Sequence, residues 1–76
     1  MSPNAKIFTE RLNHCLDESG APASMRERSV ILSRMVDIPR HSAFSMLDGH
    51  QLPAKDTLEK IATEFEVDAD WLAGDK

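Results

Sequence analysis

Within six residues the chain sets Arg40, His41, Ser42, Phe44 and Ser45, side chains suited to recognition rather than to bond-breaking. A guanidinium can pair bidentately with guanine O6 and N7, and an imidazole can donate to or accept from a base edge. An aromatic ring beside them suits a thymine methyl. Arg28 and Ser29 before this group, and His50, Gln51 and Lys55 after it, are types that hold phosphate oxygens. Reaction chemistry has no comparable footing. No Ser-His-Asp, Cys-His or paired-carboxylate arrangement has convincing spacing, and the chain is short for a conventional pocket, so no enzymatic activity is expected. His14 and Cys15 are consecutive and point to different helix faces, which argues against a zinc site. Cys15 has helix-core spacing and reads as an inert thiol, with Asp17 and Glu18 opposing a depressed pKa. No cofactor or small-molecule ligand is expected.

The elements that must carry these residues are helical throughout. Ile7, Phe8, Leu12, Cys15 and Leu16 recur at helical spacing until Gly20 and Pro22 stop the helix. Ser24, with Glu27 three residues on, forms a capping-box pattern for a second helix that turns Met25, Leu32, Met35 and Val36 inward. Asp37-Ile38-Pro39 breaks that helix, because the residue before a proline is driven out of helical geometry. A short third helix runs from about Arg40 to Leu47 and ends at Asp48-Gly49. Leu58, Ile61, Ala62 and Phe65 define a fourth helix; Asp68 caps a fifth that holds Trp71 and Leu72 and closes at Gly74. The expectation is one all-α, five-helix domain over residues 1–76, with a polar tail at 1–4 and two helices joined by a tight turn at about 25–47. Such a helix-turn-helix lays its second helix in the DNA major groove.

Composition sets the bounds. The 76 residues are 41% hydrophobic and 29% charged, ordinary for a globular domain near the lower size limit for a self-sufficient core. No apolar run is long enough for a membrane span, no signal peptide opens the chain, and one cysteine excludes an internal disulfide framework. The cytoplasm is the expected compartment. The formal charge of −4 weighs against a polyanionic partner, but it is unevenly distributed. Residues 24–60 carry six Lys or Arg and five Asp or Glu; the remainder carries three and eight, with Glu64, Glu66, Asp68, Asp70 and Asp75 crowded near the end.

Ser33, Asp37-Ile38, Gly49, Pro53, Ile61-Ala62 and Val67-x-x-x-Trp71-Leu72 together resemble the Cro/repressor-type (XRE) helix-turn-helix family. The resemblance covers residues 8–74, and residues 58–74 look most like lambdoid phage repressors and Cro. Asp37 stands where the family has a turn glycine, Ser33 where it has alanine, and Met46 where many members have Trp or Leu. Residues 19–28 form a longer connection than in compact phage repressors.

The resemblance implies a lambda-repressor-like fold and a bacterial or phage-encoded transcriptional regulator, most simply a repressor acting by operator occupancy. Arg40, His41 and Ser45 then match sites that reach base edges, with Ser42 in support and Phe44 exposed beside Arg40. Arg28, Ser29, His50, Gln51 and Lys55 become phosphate contacts. The partner would be double-stranded DNA with a pseudo-palindromic site, bound by a homodimer in which Trp71 and Leu72 contribute to the contact. The competing reading is a protein-interaction module, antitoxin-like or regulator-binding, that keeps the fold without DNA binding. The negative charge and Phe44 favour it.

Overall fold

Each helix begins and ends where local chemistry dictates. In the computed structural model, which describes residues 3–76, the order is α1 (Ala5–Glu18), α2 (Met25–Val36), α3 (Arg40–Leu47), α4 (Lys55–Phe65) and α5 (Ala69–Ala73), with no strand among the described residues. Ser24 caps α2 by accepting from the Glu27 N–H at 3.3 Å, and Asp68 caps α5 by accepting from Asp70 and Trp71. After α3, Gly49 at φ 86° lets the His50 N–H reach back to the Ser45 carbonyl at 3.0 Å.

The expected polar tail is shorter than the sequence implied. Asn4 is the α1 cap: its side chain accepts from the Lys6 and Ile7 N–H groups at 2.9 and 3.1 Å. Its own N–H donates to the Ala73 carbonyl at 2.9 Å, joining the start of α1 to the end of α5. Met1 and Ser2 lie outside the described residues. At that junction Gly74 is required twice over. Its φ is 85°, and a Cβ there would stand 3.0 Å from the Ile7 side chain.

Two turns lack a glycine and adopt left-handed geometry all the same. Asp37 has φ 56° and ψ 54°, and Glu66 has φ 56° and ψ 43°. Both end helices. At Asp37 the N–H donates to the Ser33 carbonyl, as does the Ile38 N–H at 3.1 Å. The Ser33 hydroxyl then donates to the Ile38 carbonyl at 2.5 Å, so one residue fastens both sides of the turn. Pro39 follows as the N-cap of α3, with a φ of −61°.

The core fills the space between these helices. Phe8, Leu12 and Leu16 of α1 meet Leu32 of α2, Ile61 of α4 and Leu72 of α5, all fully buried. Ala43, Met46 and Leu47 form the inward side of α3, and the small Ala43, at 0% exposure, is enclosed in the core. Met25 and Met35, expected inside, lie half-buried at the edge of this core. Among the described residues no helix is long and apolar enough to cross a membrane.

Two predictions follow from these ends. Left-handed geometry is a true outlier for a β-branched residue. Asp37→Val therefore lowers the thermal midpoint by about 5–10 °C, whereas Asp37→Gly leaves it level or higher; thermal unfolding followed by circular dichroism reads both. The Lys76 ammonium, with the Asp70 and Trp71 N–H groups, holds the Asp68 carboxyl below its ordinary value. A depressed carboxylate contributes stability that is present above its unfolded pKa, about 4. That contribution is lost as pH falls through the lower folded value. An NMR titration of the Asp68 side-chain carboxyl should thus show it protonating below the ordinary carboxylate range, and Lys76→Ala should move that transition upward.

Candidate nucleic-acid interface

α3 divides cleanly into two sides. Ala43, Met46 and Leu47 face the core, while Arg40, His41 and Phe44 are exposed and Ser42 and Ser45 are half-buried at the margins. At 100° per residue the order around the outer side is Arg40, Phe44, His41, Ser45. Phe44, 44% exposed, is the one large hydrophobic residue left open among the described residues. A guanidinium, a ring, an imidazole and a hydroxyl therefore form one continuous stripe. No side chain caps the α3 N-terminus at Pro39.

The far end of α3 is fastened from α1. The Thr9 hydroxyl donates to the Met46 carbonyl at 2.5 Å, and the Asn13 amide donates to the Leu47 carbonyl at 3.4 Å. These bonds satisfy carbonyls that the helix leaves open at its end. α3 is thus held by its inward side and its C-terminus, and Arg40, His41 and Phe44 on its outer side remain exposed.

The loop that follows supplies the other expected residues. His50 is exposed and its Nδ1 lies 2.9 Å from the Asp48 carboxylate. Gln51 is half-buried, and Lys55 is exposed at the first position of α4. Like α3, α4 has no side-chain cap at its N-terminus, which begins after Ala54.

Arg28 and Ser29 depart from the sequence expectation. Both are buried, Arg28 at 6% exposure and Ser29 at 5%, so neither is presented to a phosphate backbone. The Arg28 Nε donates to the Pro22 carbonyl at 2.6 Å, and Nη1 donates to the Asn13 carbonyl and side-chain oxygen at 3.3 and 3.0 Å. Nη2 closes a short ion pair with Asp17. The Ser29 hydroxyl donates back to the Arg26 carbonyl at 2.7 Å. The signal was in the spacing: Arg28, Leu32 and Val36 are four residues apart, on the inward stripe of α2. The exposed cations of α2 are instead Arg26, in its first turn, and Arg34, in its last, neither of which the sequence reading assigned.

Leu72 is likewise corrected. It is fully buried within the protomer and unavailable to a second copy, because α5 is too short to turn it outward without losing the core contact. Trp71 is half-buried, and the Arg11 guanidinium lies 4.9 Å from its ring centroid. Arg11 also donates to the Trp71 carbonyl and, at 3.0 Å, to the Lys76 carbonyl. Cys15 is buried, and that burial pushes its thiol pKa up. Among the described residues no three His, Cys, Asp or Glu side chains gather into a metal-binding group.

No family model, no curated protein and no solved structure matches this chain.

The two arginines separate structure from surface. Arg28→Ala strands Asn13 and the Pro22 carbonyl and should cost about 2–4 kcal/mol, the upper range for a buried charge being reduced because Asp17 is largely exposed. Arg40→Ala should stay within about 0.5 kcal/mol of the parent. Urea denaturation of the two variants checks both values, and equal losses would overturn the assignment of Arg40 to a free surface.

Proposed function

We propose that the chain is a sequence-specific binder of double-stranded DNA, a Cro/repressor-type helix-turn-helix regulator in which α3 is the recognition helix. The observation that carries this reading is the outer side of α3. A stripe of Arg40, Phe44, His41 and Ser45 lies on the outer side of a helix fastened along its inward side and at its end. That is the arrangement expected of a helix whose exposed residues meet base edges. Arg40 reads a guanine, Phe44 lies against a neighbouring thymine methyl, and His41 and Ser45 take adjacent positions. Lys55, His50 and Gln51 hold phosphates next to α3, with Arg26 in the place the sequence reading gave to Arg28.

Occupancy is the mechanism. Two copies set their α3 helices in successive major grooves about 34 Å apart, and the bound pair denies the site to polymerase.

A second reading has its own support in Phe44. An aromatic ring open to water, on a chain of net charge −4, also suits a protein-binding surface. Selection from a random duplex library at low salt decides between them. Enrichment of a pseudo-palindrome with guanine in each half-site is the expected result, and Arg40→Ala should relax that position by about 1–3 kcal/mol without changing the rest of the motif. Three or four phosphate contacts per protomer give a slope of roughly −3 for log K against log salt. A folded protein that enriches nothing, or binds with no salt dependence, excludes the DNA reading and leaves the protein-binding one.

A further inference from the structure

A groove of about 400 Å³ runs between the C-terminal half of α1 and the end of α4 with α5, and it shares no residue with the α3 stripe. Its floor is apolar and half-buried, made by Phe65, Val67 and Trp71. Its rim is acidic: Glu18, Glu64 and Glu66 line it and are exposed, and no Lys or Arg is among the described lining residues. We propose that this groove docks a basic amphipathic segment of a partner protein, an apolar anchor flanked by Lys or Arg.

Charge selects that occupant. Three carboxylates around an apolar floor attract ammonium and guanidinium groups while the anchor removes Phe65 and Val67 from water. Arg11, 4.9 Å from the Trp71 ring centroid, offsets one of these charges, and the three rim carboxylates still outnumber it. A second copy of this chain is disfavoured, because a symmetric contact would set Glu18, Glu64 and Glu66 against their own equivalents. Phosphate backbones are repelled by the same carboxylates. His14, exposed and 3.7 Å from Glu18, is the other polar ring on the rim. The inference stands apart from the DNA reading, since either surface can function without the other.

The test uses the full chain and a synthetic amphipathic helix of Leu and Lys, with the emission of Trp71, the only tryptophan, as the readout. The expected result is a saturable emission change that weakens with salt, with amide shifts confined to the end of α1, the end of α4 and α5. Glu18→Lys combined with Glu64→Lys, both exposed helical positions, should weaken binding at least about tenfold while circular dichroism stays unchanged. The same peptide with Glu in place of Lys must fail to bind, which tests charge selection without altering the protein. Equal binding of the two peptides, amide shifts centred elsewhere, or no saturable change would overturn the proposal. So would self-association that buries Trp71, which would assign the groove to a second copy.

Discussion

One buried guanidinium fixes the relation of the first three helices. Arg28 enters from α2, takes the Pro22 carbonyl of the preceding loop, pairs with Asp17 and donates to the carbonyl and side chain of Asn13 on α1. Asn13 in turn donates to the Leu47 carbonyl at the end of α3. A line of polar contacts therefore runs from α2 through α1 to α3, alongside an otherwise apolar core. Removing a guanidinium from water is costly, and the cost is offset only when nearly all its N–H groups find acceptors. All four of its acceptors lie outside α2, on the loop and on α1, so the guanidinium constrains how α1, the loop and α2 meet. Apolar packing alone tolerates small slips of one helix past another; this network does not.

The other control on α3 is the turn at Asp37. The small Ala43 is enclosed in the core, but the relative direction of α2 and α3 is set by three residues of backbone. A glycine would adopt the left-handed position freely and would also leave the turn more freedom before folding. With Asp37 and the Ser33 hydroxyl bond to Ile38, the turn gains a side-chain clasp in place of glycine's latitude. Pro39, the N-cap of α3, then fixes its own φ at −61° just before the helix. The clasp at one end and Thr9 and Asn13 at the other hold an eight-residue helix that would not persist alone.

The helices and most of their ends were legible in the sequence because caps and breakers act locally. Ser24, Asp68, Gly49 and Gly74 do their work within a few residues, and Asp37 and Pro39 mark their turn by the same short-range sterics. Interactions that close over distance were not legible. Asn4 reads as a frayed polar tail until its N–H is seen on Ala73, almost the whole chain away. Arg28 reads as surface by residue type, although its place on the inward stripe of α2 points the other way. Leu72 reads as a dimer contact by resemblance, yet it and Ala73 are the two residues of α5 that the core takes. The outward residues of α3 were legible for the converse reason: once Ala43, Met46 and Leu47 face in, Arg40, His41 and Phe44 have nowhere else to point.

Net charge is a poor summary of such a molecule. Its extents are 31 × 23 × 19 Å, and exposed charges are screened over about 10 Å at 0.1 M salt. Charges a few screening lengths apart act nearly independently there, so what a partner meets at α3 is set by groups close to α3. Of the acidic ones, Asp37 and Asp48 flank the helix, and Asp48 lies 2.9 Å from the His50 ring. The carboxylates of Glu64, Glu66, Asp68 and Asp70 belong to the end of α4 and to α5, and Asp68 is already paired with Lys76 at 3.1 Å. At very low salt the screening length grows past the size of the protein, and the whole −4 is felt by any approaching polyanion. An acidic chain can therefore carry a face suited to phosphate and, on other residues, a face suited to cations. What keeps the two distinct is salt together with the rigidity that Arg28 and Asn13 impose.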